Sequence, residues 1–198
     1  MSYDPTYYKI FKIKTKIRYT PDVIVYPKHK ASFQKDWKKF YRPKKNTAGK
    51  TRQKQFQAFF DRLKKVGNEE KYCERISIRF ISPKVGYGVF AKVNIAPYSI
   101  LNHYTGVLKK DASIGFSSKS TFSFPEFPKY SIDGQKVGNW CRFMNHANKG
   151  NVVPWEYYLP EGPRIIFTAS SKGIKKGEQL CYSYGDDYWD EEDKVVTL

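Results

Sequence analysis

The chain has 198 residues, three cysteines and a formal net charge of +17. With 40% hydrophobic and 17% aromatic residues it can bury a domain-sized core, which excludes a disordered tail. No run approaches the roughly 20 apolar residues of a membrane helix, and Cys73, Cys141 and Cys181 stand too far apart for a Cys-x-x-Cys zinc cluster or a disulfide frame.

Met1-Ser2-Tyr3-Asp4-Pro5 is not followed by the apolar run of a secretory leader. The expectation is an intracellular protein with three reduced thiols, no membrane segment and no metal. The charge is uneven. Residues 1–75 carry 21 basic and 7 acidic side chains, net +14, whereas residues 76–198 carry 15 and 12. This divides the chain into a basic N-terminal extension, 1–75, and a nearly balanced part, 76–198. Such asymmetry points the extension toward nucleic acid, a membrane surface or an acidic protein.

Within the extension, Phe11, Ile13, Thr15, Ile17 and Tyr19 alternate with Lys12, Lys14, Lys16 and Arg18. Period two predicts a strand with one buried and one basic face, ended by Pro21. Phe33, Trp37, Phe40 and Tyr41 fall at helical spacing among Lys35, Lys38 and Lys39. Thr51 is the expected N-cap of a helix to about Val66, with Phe56, Phe59, Phe60, Leu63 and Val66 as its apolar stripe and Gly67-Asn68 as its stop. Aromatics interleaved with lysines suit base stacking and phosphate neutralisation. Their helical spacing favours core packing for the rings, leaving the lysines as an electrostatic surface.

From Ile76 the texture changes. Ile76–Phe80 alternates, a turn follows, and Gly86-Tyr87-Gly88-Val89-Phe90-Ala91 comes next. Paired glycines let a backbone approach a ligand or adopt positive φ, but no third glycine or following helix completes a dinucleotide fingerprint. Further on stand Tyr104-Thr105-Gly106, Ile132-Asp133-Gly134, Arg142-Phe143-Met144-Asn145-His146 and Gly177-Glu178-Gln179-Leu180-Cys181-Tyr182-Ser183-Tyr184-Gly185. Each is short, and each has a plain structural reading. A half-buried strand with a tyrosine face accounts for Tyr182 and Tyr184, and a satisfied buried pair accounts for Asn145-His146.

Taken in order, these motifs over about residues 76–190 resemble the SET-domain protein lysine methyltransferases. The resemblance implies a mainly β (α+β) fold of short twisted sheets with a pseudoknot near Asn145-His146, here preceded by an extension holding one or two helices. It implies S-adenosyl-L-methionine as cofactor, bound by Gly86, Tyr87, Gly88, Arg142, Asn145 and His146, with Tyr188 and Trp189 over the adenine. Tyr184 matches the family's active-site tyrosine. Tyr104 and Tyr182 would line the lysine channel with it, and Phe122 falls in the variable insert 111–129, within the stretch 120–128 that would flank the substrate peptide. Tyr182 stands where the family has Phe or Tyr, and Tyr there implies monomethylation. Histone tails are the family's commonest substrate, so the implied partner is histone or nucleosome, the implied place nucleus or chromatin, and a DNA contact through residues 1–75 is consistent with both.

The chain departs from the family pattern in places. His103 replaces the usual Glu before the tyrosine and reads as a local hydrogen-bonding side chain. Ala147 replaces Ser, and Ser183 replaces Asp. Asn148-Lys149-Gly150-Asn151 stands for Cys-Pro-Asn, with Asn151 keeping the last position. There are no flanking cysteine clusters, and the acidic stretch 186–193 reads as a solvated face. The alternative classes are an inactive SET-like binding module and a nucleic-acid-binding protein acting through its basic extension.

Overall fold

The computed structural model describes residues 3–41, 50–66, 74–111 and 120–185. Gly67-Asn68, Tyr188, Trp189 and the acidic stretch 186–193 lie outside them, as does most of the first half of the insert. In chain order the elements begin with α1 (Pro5–Phe11), β1 (Arg18–Tyr19), β2 (Ile24–Val25), α2 (Lys30–Phe40) and α3 (Lys50–Val66). Strands β3 (Ile76–Ser82), β4 (Gly86–Ala91), β5 (Ile100–His103), β6 (Val107–Lys110), β7 (Thr121–Ser123), β8 (Tyr130–Asp133) and β9 (Val137–Gly138) follow. Then come β10 (Asn145–His146), β11 (Val152–Leu159), β12 (Gly162–Ala169) and β13 (Cys181–Tyr182).

The sheets are small, as expected. β3 and β4 form a hairpin, β12 lies between β11 and β5, and the order β2-β6-β8-β7 makes a four-stranded sheet. Two further pairs are parallel and two residues long: β1 with β9, and β10 with β13. β12 is paired on both sides, and all eight of its residues are buried.

The extension is built into these sheets. β2 adds in parallel to β6, and β1 to β9. The period-two reading of residues 11–19 is half right. A helix occupies Pro5–Phe11, because Pro5 sits at its first turn and Asp4 Oδ1 accepts the Thr6 and Tyr7 N–H groups at 2.9 and 3.2 Å. Lys12 ends it in the left-handed region, φ 59°. Only Arg18–Tyr19 pair as a strand, yet burial still alternates: Ile13 is buried, Thr15, Ile17 and Tyr19 half-buried, and Lys12, Lys14, Lys16 and Arg18 exposed. Tyr7, fully buried, donates its hydroxyl to the Gly138 carbonyl at 2.7 Å and packs edge-on against Phe143.

The expected helices of the extension form, and their aromatics are core. Phe33 and Trp37 of α2 pack with Phe127, and Trp37 Nε1 donates to the Pro160 carbonyl at 3.0 Å. α3 starts at Lys50, one residue ahead of the expected Thr51 cap. Its Phe56, Phe59 and Phe60 form a second core with Tyr157, Leu159 and Ile166. Trp155, Tyr157 and Leu159 share one face of β11, which is how α3 covers that strand.

Under α3, His103 is buried with the rings of Phe59 and Phe60 edge-on to it. Its Nε2 lies 3.5 Å from Asp22 Oδ1, and Arg164 Nε lies 3.2 Å from the same oxygen. The group joins the β1–β2 connection, β5 and β12. Burial holds the imidazole below its usual value, against the opposing pull of Asp22. The folded protein therefore keeps His103 neutral where the unfolded chain begins to protonate, below about pH 6.5. The unfolded state then binds more protons, so stability falls with pH. The urea midpoint of the wild type is expected to hold above pH 7 and fall from about pH 6.5 toward 5. In His103→Asn that limb should be shallower. An equal slope in the two proteins would show that His103 does not carry it.

Candidate active site

The segments around Asn145 and Tyr182 cross side by side. Asn145 pairs with Cys181 and His146 with Tyr182, in parallel. The Ala147 N–H donates to the Tyr182 carbonyl at 3.1 Å. Asn151 clamps the crossing with both ends of its amide. Its Nδ2 donates to the Gln179 carbonyl at 2.9 Å, and its Oδ1 accepts the Cys181 N–H at 3.1 Å. Gly150 is needed here because a Cβ would stand 2.5 Å from the Cys181 carbonyl oxygen. This is the interlock expected near Asn145-His146, with Asn151 at its centre.

The interlock fixes two tyrosines. His146 Nδ1 accepts the Tyr184 N–H at 3.1 Å, so the ring proton sits on Nε2, 2.8 Å from Asn148 Oδ1. The Tyr184 hydroxyl donates to the Met144 carbonyl at 2.7 Å. Tyr184 is thus held at both backbone and hydroxyl. The Tyr182 ring lies 4.8 Å from that of Tyr184, 5.0 Å from Phe167 and 5.6 Å from Phe122, the last stacked. Phe122 in turn lies 4.9 Å from Tyr104. The Tyr104 hydroxyl donates to the Ser120 carbonyl at 2.7 Å, so its ring, not its hydroxyl, is what the wall offers.

On the other side, Gly86 has φ +77° and open space where a Cβ would be. Asn145 Nδ2 donates to the Tyr87 carbonyl at 3.1 Å. Gly88 leaves no room for a side chain: a Cβ would stand 2.6 Å from Ile81 Cδ1 and 3.1 Å from Asn145 Nδ2. Arg142 donates through Nε to the Gly134 carbonyl at 2.7 Å and through Nη2 to Ser120 Oγ at 3.2 Å, bracing the turn after β8 against the insert.

Both sides face one cavity of about 1070 Å³. Tyr104, Phe122, Tyr182, Tyr184, Gly86, Tyr87, Arg142 and Asn145 line it. Gly88 and His146 stand behind that lining and act on Asn145 and Tyr184; Trp189 lies outside the described residues. Sequence reasoning missed Thr15, Ile17, Phe143 and Glu156, which also line the cavity. Glu156 had a signal, being the one carboxylate within the apolar run of β11. Thr15 and Ile17 had none, because the resemblance began after them.

The chemistry available is narrow. Burial pushes the Cys181 thiol up to about 11, so it is a neutral thiol and no nucleophile. Burial also raises Glu156, whose carboxylate accepts the Tyr158 hydroxyl. Among the described residues no histidine lines the cavity. Aromatic walls of this kind hold an alkyl chain and disfavour a charged amine at its end.

A family model described as SET domain matches residues 86–185, half of the chain. Over 121 residues, 57% of the chain, the sequence is 32% identical to a stretch making up 9% of the human histone-lysine N-methyltransferase EHMT1. Over 116 residues, 52% of the chain, it is 34% identical to 8% of the histone-lysine N-methyltransferase EZH2 of Chaetomium thermophilum. The chain thus spans less than a tenth of the length of these relatives. Among solved structures, 56% of the chain matches 15% of a chain of apo PRC2 from Chaetomium thermophilum carrying Ezh2 mutations, at 31% identity and a TM-score of 0.50.

The Asn151 clamp gives a direct expectation. Asn151→Ala should lower stability by about 1–3 kcal/mol in urea denaturation, since it leaves a backbone N–H and a carbonyl of the crossing unpaired. A loss under about 0.5 kcal/mol would mean that the crossing holds without it.

Proposed function

Because the chain belongs to the SET-domain family, we propose that it is an S-adenosylmethionine-dependent protein-lysine N-methyltransferase, that it acts on histone lysines in chromatin, and that it favours a single methyl per lysine. One observation carries the reading. The aromatic wall of Tyr104, Phe122, Tyr182 and Tyr184 and the ledge of Gly86, Tyr87 and Asn145 face the same cavity.

The residues fit the cofactor. Gly86 presents bare backbone to the cavity, and the absence of a side chain at Gly88 lets Asn145 hold the Tyr87 carbonyl. A volume of about 1070 Å³ admits both a cofactor and a lysine side chain. Gly86, Tyr87 and Asn145 would hold the cofactor, with His146 and Arg142 bracing the surrounding backbone. When bound, the cofactor supplies a methyl group on a sulfonium, so the bond to nitrogen forms as the bond to sulfur breaks and the electron pair leaves on sulfur.

The chain's own part is orientation and desolvation. A lysine amine has an ordinary pKa near 10.4 and attacks only as the neutral form. The rings of Tyr104, Phe122 and Tyr182 remove water from it, which favours loss of its proton. Tyr184 donates its hydroxyl hydrogen to Met144, so the oxygen keeps lone pairs to accept an N–H from the amine and aim its lone pair. The Tyr182 hydroxyl takes up room that a second methyl would need.

Labelled S-adenosylmethionine with core histones and nucleosomes tests this. Wild type is expected to label histone, and Tyr184→Phe to lose about 100-fold in kcat with cofactor binding kept. Cofactor binding without transfer to any histone would turn the reading into a binding module. Mass spectrometry of the labelled lysine gives the second outcome. Tyr182→Phe is expected to yield dimethyl- and trimethyl-lysine where wild type stops at one; unchanged product would remove Tyr182 from that role.

A further inference from the structure

Residues 5–21 contain no carboxylate and carry Lys9, Lys12, Lys14, Lys16 and Arg18, all exposed. Of the two acids that flank the segment, Asp4 accepts the backbone N–H groups of Thr6, Tyr7 and Tyr19, and Asp22 faces His103 and Arg164. Lys136, also exposed, joins the row, because the Arg18 N–H donates to its carbonyl at 2.9 Å and β1 pairs beside it. Among the described residues none of these cations has an ion-pair partner.

Two of the lysines are positioned. Lys12 Nζ lies 5.9 Å over the Tyr8 ring and Lys14 Nζ 5.7 Å over the Tyr3 ring. Tyr3 and Tyr8 are each 41% exposed and their rings are 5.2 Å apart. Cation–π contacts of this sort hold an ammonium group in place and reduce the ordering cost of binding. The segment itself is fixed: Ile13 is buried, the Asp4 N–H donates to the Thr15 carbonyl at 2.9 Å, and Thr15 Oγ1 accepts the Ile17 N–H. Alternate residues of a near-extended chain stand about 6–7 Å apart, enough for neighbouring cations to meet separate phosphates.

We propose that Lys12, Lys14, Lys16, Arg18 and Lys136 form a binding surface for the phosphate backbone of duplex DNA. Recognition is through phosphates without sequence readout: the cations supply the charge, and the rings of Tyr8 and Tyr3 position Lys12 and Lys14. The inner side of the same segment, Thr15 and Ile17, lines the cavity. DNA held on its outer side would lie beside the cavity mouth, so a substrate packed on DNA would be presented there. The surface stands independently of the methyl-transfer reading, and its test needs no methyl transfer.

Fluorescence anisotropy of a labelled mixed-sequence duplex, titrated with the full chain at several salt concentrations, is the test. Each phosphate contact adds about 0.9 to the slope of log K against log salt. Lys12→Ala/Lys14→Ala/Lys16→Ala is expected to make that slope shallower by about 2.7. Lys172→Ala/Lys175→Ala/Lys176→Ala removes the same charge from the exposed turn ahead of β13 and should leave the slope unchanged. Tyr3→Ala/Tyr8→Ala should weaken binding several-fold at constant slope, because it removes the positioning and keeps the charge. Circular dichroism confirms that each variant is folded, and Lys14→Ala alone serves if the triple variant is not. Equal loss in both lysine triples would reduce the effect to net charge and overturn the proposal. So would the absence of salt-dependent duplex binding, or preference for a polyglutamate peptide, which would assign the surface to an acidic protein.

Discussion

The amide of Asn151 holds together what the rest of the site depends on. β10 and β13 are two residues each, too short to persist as a pair by backbone hydrogen bonds alone. Asn151 supplies one donor and one acceptor across the crossing, and Gly150 lets the two backbones come close enough for it to do so. Tyr182 and Tyr184 then leave the crossing with fixed direction, and His146 and Met144 catch the second of them. The clamp is polar and partly buried, so its energy depends on both bonds being made together.

The second dependence runs through the extension. Tyr7 reaches the Gly138 carbonyl, Trp37 reaches that of Pro160, and α3 covers the outer face of β11. These contacts tie residues about a hundred positions apart or more. The extension is therefore an integral layer: it supplies strands to two sheets and two residues to the cavity lining.

Much of this was legible in the sequence, and the parts that were not share a cause. The motifs from Gly86 to Gly185 carry their own spacing, so the placement of Tyr104, Tyr182 and Tyr184 and the crossing near Asn145-His146 are legible there, whereas the two bonds that Asn151 makes are not. Helical spacing was enough to assign α2 and α3, because Phe33 and Trp37 fall on one face of α2 and Phe56, Phe59 and Phe60 on one face of α3. At residues 5–11 the Asp-Pro start signal was present, but the stronger period-two pattern just after it hid a seven-residue helix. The exposed and buried sides of 12–19 were nonetheless right, since alternation reports which side faces the core whether or not the chain finds a strand partner. Thr15, Ile17 and Glu156 were missed because joining a cavity is a matter of tertiary neighbours, which neither propensity nor local pattern encodes. His103 reads as a local hydrogen-bonding side chain, and its Nδ1 does lie 3.2 Å from Asn102 Oδ1; what the motif does not show is the long-range contact of its Nε2 with Asp22.

The cavity takes lining from Thr15 at one end of the described chain and Gly185 at the other. Its walls are thus the last thing the chain can complete, whatever order the sheets form in. Long separations of this kind slow folding, because loop closure comes before the contacts that reward it. They also mean that no proteolytic fragment and no nascent chain short of Gly185 possesses the site. A completed cavity and complete folding are, in this molecule, the same event.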